Sequence, residues 1–232
     1  AGNPYTITLN KGELYQVQSL EGDLTGSHIL ADKPVAVYAG NYSTTIPREA
    51  TGGMDHMYEQ MPSIRTWGRE YYTVPLAGRS KDYFRIMASQ DKTSVVIGNS
   101  APVILQRGKY YEFSLNQPVR ILSDKPIMVA QYSQSKNNDR VTNGDGFMVI
   151  LSPVSQAKND VTFVAYQSTL MRVYYVNIVV PISEINNMEL ANNPIPASNF
   201  KPYANNRFAS AQLPISAGPW RLRNINPDRG FV

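Results

Sequence analysis

The sequence predicts an all-β protein: two tandem β-sandwich units of jelly-roll-like form, related by an internal duplication, with the start of a third repeat at the C-terminus. Three observations lead there. Short runs alternate polar and apolar residues and end at Gly or Pro turns. Residues 5–97 recur, with substitutions, as residues 103–190. Finally, 15 Tyr, 16 Pro and 15 Gly among 232 residues favour strands and turns over helix.

Taken in order, Thr6-Ile7-Thr8-Leu9 alternates as a half-buried strand should, and Gly12 stands where a hairpin needs positive φ. The run Leu9-Asn10-Lys11-Gly12-Glu13-Leu14-Tyr15-Gln16 returns as Leu105-Gln106-Arg107-Gly108-Lys109-Tyr110-Tyr111-Glu112, so Gly108 is expected in the same turn. Ile29-Leu30-Ala31-Asp32-Lys33-Pro34-Val35-Ala36-Val37 returns as Ile121-Leu122-Ser123-Asp124-Lys125-Pro126-Ile127-Met128-Val129. Pro34 and Pro126 read as strand starts, where a missing N–H costs no ladder bond, with Asp-Lys as the turn before each. Met61, Ile64, Tyr71 and Val74 match Leu151, Val154, Val161 and Val164, and Tyr83-Phe84-Arg85-Ile86-Met87 matches Tyr175-Val176-Asn177-Ile178-Val179. Leu213 to Gly218 repeats the glycine turn once more, and Asn226-Pro227 falls where Asp-Lys-Pro stood. The expected copy breaks off at Val232, which suggests a longer natural chain.

Boundaries follow from the repeat: residues 1–100 form one unit and 101–232 the next. The second includes an Asn, Pro and Tyr-rich insertion at 196–210, read as a linker or an extra hairpin, and a closing hairpin. Met57–Met61 and Glu184–Glu189 could each make one helical turn. With no Cys, disulfides, thiolate nucleophiles and Cys-based zinc sites are excluded. A net charge of +4 spread over scattered Lys and Arg gives no nucleic-acid stripe. No apolar run reaches the roughly 20 residues of a membrane span, and no signal-like segment precedes Ala1.

Two segments draw attention as chemistry. Asp55-His56-x-x-Glu59-Gln60 gathers a histidine and two carboxylates, which could bind a metal or supply a general base. The spacing matches no zinc motif, and a structural His56 that hydrogen-bonds the long loop to the sheet is the expectation. No Gly-x-Ser-x-Gly elbow occurs, so a hydrolase using His56 is the weakest reading. Asp139 to Gly146 resembles a calcium loop, but Val141 occupies a ligand position; a hairpin turn at Asn143-Gly144 fits better. Asn41-Tyr42-Ser43 is the one glycosylation sequon. Trp67 and Trp220 are expected beneath loops, with glycan stacking as the sharper possibility.

The two units keep their strands while the loop after Asp-Lys-Pro differs completely: Ser43 to Tyr58 in one, Gln134 to Gly146 in the other. A shared scaffold with divergent loops is what a binding protein shows. Contact candidates are therefore Asp55, His56, Tyr58, Asn138 and Arg140, with no catalytic residue, metal or cofactor expected. A structural spacer in a larger surface protein is the alternative.

The ordered series Asp23-Leu24-Thr25-Gly26, Asp32-Lys33-Pro34-Val35-Ala36-Val37, Ala39-Gly40-Asn41, Asp55-His56, Glu59-Gln60-Met61-Pro62, Trp67-Gly68 and Leu76-Ala77-Gly78-Arg79 resembles the amino-terminal domain family of IgGFc-binding protein, over nearly the whole chain. The resemblance implies an extracellular, non-catalytic module, of the kind found in large mucosal proteins of animals and in bacterial surface or secreted proteins. Its partners would be an extracellular protein or glycan and neighbouring domains of the same chain. Animal members commonly carry Cys near Ser43 and at Met54; their absence here points to a bacterial-type, cysteine-free member.

Overall fold

Strand formation follows the two-residue periodicity directly. In Asp82–Ala88 every second side chain, Asp82, Phe84, Ile86 and Ala88, is buried, and such alternation holds register because a one-residue slip would turn the whole apolar set to water. The computed structural model describes residues 4–139, 141 and 144–232. In chain order the strands are β1 (Tyr38–Thr44), β2 (Asp55–Gln60), β3 (Gly68–Tyr72), β4 (Asp82–Ala88), β5 (Thr93–Ile97), β6 (Val103–Leu105), β7 (Tyr110–Leu115), β8 (Arg120–Ser133) and β9 (Met148–Ile150). They continue as β10 (Asp160–Ala165), β11 (Tyr174–Pro181), β12 (Met188–Leu190), β13 (Asn193–Pro194), β14 (Lys201–Tyr203), β15 (Phe208–Ile215) and β16 (Gly218–Asn224). All pairings among the described residues are antiparallel.

The first body is organised by β8. Its N-terminal part lies between β3 and β5, through Tyr71↔Ile121 and Ile97↔Ile121, and β6 extends β5. Its C-terminal part lies between β4 and β9, and β7 extends β4. The bend between these halves is Ser123–Pro126, where β3 advances from Gly68 to Glu70 while β8 runs back from Ile127 to Leu122. Extra residues in one strand bend it and raise its twist, so β8 passes from one layer to the other. Asp124–Lys125–Pro126 is thus a bulge inside a strand, where a turn and a strand start were expected. Pro126 is tolerated there because the bulge leaves its position without a ladder bond. The bulge is fixed by Asp124 Oδ1, which accepts from Ser94 N–H at 2.8 Å, and by Lys125 Nζ, which donates to Asp91 O at 2.6 Å. Between the layers sit Tyr71, Phe84, Ile86, Val95, Ile121, Ile127 and Val129. Tyr71 keeps its hydroxyl satisfied by donating to Ile127 O at 2.6 Å, and burial pushes its pKa up to about 12.

The second body consists of a four-stranded and a three-stranded sheet. β16 lies between β10 and β12 through Val161↔Leu222 and Leu190↔Leu222, and β13 extends β12. The facing layer is β11-β15-β14, and Val232 continues it by exchanging both backbone bonds with Val179. Ile178, Val180, Met188, Phe200, Leu213 and Leu222 fill the space between. Leu213–Gly218, expected to start a third repeat, lie at the end of β15 and the start of β16, which close this body. Gly218, at φ 125°, accordingly joins β15 to β16, whereas Gly108, at φ 70°, precedes β7; the two are not the same turn. Residues 201–215 form a hairpin. The expected break at residue 100 falls within the first body, between the paired strands β5 and β6.

The bodies meet where Tyr72 stacks on Phe208, ring centroids 4.1 Å apart, beside Val74, Val179 and Tyr203. Residues 4–37 hold no strand, although Thr6–Leu9 and Val35–Tyr38 were expected as strands; only β1 begins, at Tyr38. Gly12 does adopt φ 88°, with Glu13 N–H bonded to Asn10 O. Asp32, Lys33 and Pro34 are exposed in this segment. Of the two expected helical turns, Met57–Met61 lies in β2 up to Gln60, and Glu184–Glu189 begins in the 3-10 helix Ile182–Asn187 and ends in β12.

Candidate functional site

The loops that differ between the two repeats lie side by side. Ser135 closes them together: its N–H donates to Ile46 O at 2.9 Å and its Oγ accepts from Ile46 N–H at 3.0 Å. Asn137 Nδ2 donates to Thr51 O at 3.2 Å, and Gly146 N–H donates to Asp55 Oδ2 at 3.0 Å. Residues 43–58 and the described part of 134–146 therefore make one continuous surface, though 91 residues separate Asp55 from Gly146.

Beneath that surface lies a buried polar cluster. Asp139, in the single helical turn Lys136–Asp139, accepts from Ser80 N–H at 2.8 Å, Ser80 Oγ at 2.6 Å, Gln134 Nε2 at 3.1 Å and Arg79 Nη1 at 3.2 Å. Arg79 Nη2 also donates to Asp145 O at 3.0 Å. Four donors on one buried carboxylate offset its desolvation and hold the loop's base. Asp139 is thus turned inward as a support, not outward as a calcium ligand. Nearby, Asp82 Oδ2 accepts from Leu76 N–H and Gln131 Nε2, each at 2.8 Å, while its Oδ1 has no partner among the described residues. Burial, aided by the neighbouring Asp139 charge, holds its pKa above the usual carboxylate range.

Strand period decides what Asp55-His56-x-x-Glu59-Gln60 can do. On β2, Asp55, Met57 and Glu59 share one face while His56, Tyr58 and Gln60 share the other. Met57 is buried, so the first face is the inner one. Asp55 reaches Gly146, and Glu59 lines a cleft of about 250 Å³ with Gln60, Trp67, Tyr71 and Met128. His56 is exposed on the outer face of β2, opposite the face of Met57. The other histidine, His28, lies 3.1 Å from Arg107 in the N-terminal segment. Among the described residues, no group of three or more His, Cys, Asp or Glu is placed to hold a metal ion. Asp55, on β2, accepts from Gly146 N–H of the second loop at 3.0 Å.

The outer face of the β1–β2 ribbon is aromatic. Tyr58 is 64 % exposed and stacks on Tyr38 at 5.4 Å, the rings nearly parallel. Tyr42 is 94 % exposed and Met54 60 %. With Ser43, Asp55 and His56 they border a shallow depression of about 480 Å³. Gly40 lets the strands come this close, since a Cβ there would lie 2.0 Å from Met57 O. Asn138, exposed at the helical turn, donates to Gln134 Oε1. Arg140, and the expected turn residue Asn143, lie outside the described residues. Trp67 and Trp220 are half-buried, and each indole N–H meets a local carbonyl, Pro62 O and Ser216 O.

Tyr42, Met54, Ser135 and Arg79 were not singled out from sequence. Arg79 stood in the Leu76-Ala77-Gly78-Arg79 motif, but nothing local to either loop signalled that Ser135 would meet Ile46.

A family model described as IgGFc binding protein matches residues 1–232. The human protein named IgGFc-binding protein is 26 % identical over 160 residues, which is 67 % of this chain. The chain spans 3 % of that relative's length. No solved structure matches the chain. Among the described residues, no helix is long and apolar enough to cross a membrane.

Proposed function

Because this chain belongs to the IgGFc-binding protein family, we propose that it is a non-catalytic extracellular module that recognises a protein or a glycan through the joined loops 43–58 and 134–146. The observation that carries this reading is the exposed group Tyr42, Met54, His56 and Tyr58, backed by a buried network that holds the second loop in place. Rigid aromatics offer contact area at little entropic cost and suit both sugar faces and protein hot spots. The name of the human relative adds antibody Fc to the protein arm of the test.

Glycan microarrays and capture of extracellular proteins, Fc included, provide the screen. Combined replacement of Tyr42, His56 and Tyr58 by Ala is expected to weaken any hit at least about tenfold, the order expected when a hot-spot contact is removed, with thermal stability unchanged. A hit that survives both this variant and exchange of the two loops removes them from recognition. A second reading, a spacer built of like bodies, is favoured by the Tyr72–Phe208 packing that joins the two sandwiches. A protein that binds nothing in either screen, yet keeps both bodies rigidly joined in small-angle scattering, supports it.

A further inference from the structure

The N-terminal segment is unlike the rest of the chain. Residues 9–37 match 105–129 in sequence, and in the first body those matched residues form β7 and the bulged strand β8, each paired on β4. In the second body β15 pairs on β11, and β16 lies between β10 and β12. Residues 13–37 have the pattern but, among the described residues, form no strand; only Val37 O, beside β1, accepts from Met61 N–H at 2.8 Å. Ile121 and Ile127 are 0 % exposed, whereas their matches Ile29 and Val35 are 58 % and 55 % exposed. Leu14, Leu20 and Leu30 stand 85 %, 91 % and 84 % exposed.

The segment is nonetheless anchored at one place. Tyr110 Oη donates to Asp23 Oδ2 at 2.9 Å, Arg85 Nη1 donates to Thr25 Oγ1 at 2.6 Å, and a Cβ on Gly26 would lie 2.1 Å from Gly108 O. Arg85 faces Glu112 across β4 and β7; the matching pair across β11 and β15 is Asn177 and Gln212. There Gln212 Nε2 donates to Pro75 O of the first body at 2.8 Å. In both bodies this cross-strand polar position receives the chain that comes before it.

We propose that residues 13–37 are the closing strands of a further sandwich, and that they bind a partner of the same construction: a β-sheet half patterned like residues 68–105. Such a half offers strands equivalent to β3, β4 and β5, which pair with the N-terminal segment and cover its apolar side chains by strand addition. This goes beyond recognition through the loops and would stand if that reading failed.

The test grafts a copy of residues 62–104 directly ahead of Leu9, since Leu105 is the match of Leu9. Amide exchange over residues 13–37 is expected to slow by on the order of a hundredfold or more, as in a stably paired strand, with the protein monomeric by sedimentation. In the chain without the graft these amides are expected to exchange as open backbone. A second graft, from residues 152–195, should protect the segment too, and replacing the grafted copy of Ile86 by Pro should abolish the effect of the first. Fast exchange with both grafts overturns the proposal, as does protection that survives the proline. Protection of the ungrafted chain also overturns it, whether the chain is a monomer or a dimer, the dimer showing that a second copy suffices.

Discussion

The two bodies are both antiparallel and differ in how they handle a buried carboxylate. In the first, Asp82 has one satisfied oxygen and one without a partner among the described residues, and its pKa is raised. In the second, Glu184 is held by Asn187 Nδ2 at 2.9 Å together with Asn224 and Asn226, and these hydrogen bonds lower its pKa. One pairing scheme therefore tolerates opposite electrostatics, because the apolar alternation, not the polar groups, sets which face turns inward. The polar groups vary with the loops they support, and only the first body carries the long loop pair.

The largest expected effect probes the two cores. Ile86 and Ile178 are matched, and each is 0 % exposed. Replacing either by Ala should cost about 2–5 kcal/mol, read by chemical denaturation. If one substitution proves silent, the two cores are not equivalent. Next comes the support of the loops, found only in the first body. Asp139→Ala leaves Arg79 without its charge partner and should cost about 3 kcal/mol. Exchange should rise in residues 134–139 while β11 and β15 stay protected; equal loss in both bodies would deny that the network is local.

A smaller effect separates the carboxylates by pH. Glu184, lowered from an ordinary 4.5, contributes stability that is present above that value and lost as pH falls through the folded one. Asp82, raised from 3.8, contributes stability that is full below that value and lost as pH rises through the folded one. Acidification should thus loosen β12 and β16 and leave β4 firm. Glu184→Gln should remove the acid sensitivity, and Asp82→Asn should flatten the first body's profile; exchange mass spectrometry at pH 3.5 and 6 checks both. Smallest is Tyr58→Ala, an exposed change expected within about 0.5 kcal/mol of the parent. A larger loss would make the aromatic face structural.

Much of this was legible in the residues. The all-β character was legible, and the alternating runs Tyr83–Met87 and Tyr175–Val179 lie in β4 and β11. The phase of the repeat was not legible. A periodic sequence can be cut anywhere, and only the pairing of β8 with β3, β4 and β5 shows that the glycine-turn strands close a body and do not open one. Likewise Asp-Lys-Pro reads as a turn locally and becomes a bulge because β8 must serve two layers. At the candidate site, the loops were marked by their divergence and Tyr58 by its strand. That Asp55 turns inward and His56 outward depended on which face of β2 meets the body, which Met57 decides by burial.

The convergence of the two loops can be measured directly, since the chain has no cysteine of its own. Ser135 and Ile46 are bonded backbone to backbone and side chain to backbone, which brings them within the Cα separation of a disulfide, usually about 4.4–6.8 Å. A protein carrying Ile46→Cys and Ser135→Cys should form an intramolecular disulfide under mild oxidation, with stability retained. Two thiols that remain reduced, or link only between molecules, would show that the loops do not form one surface.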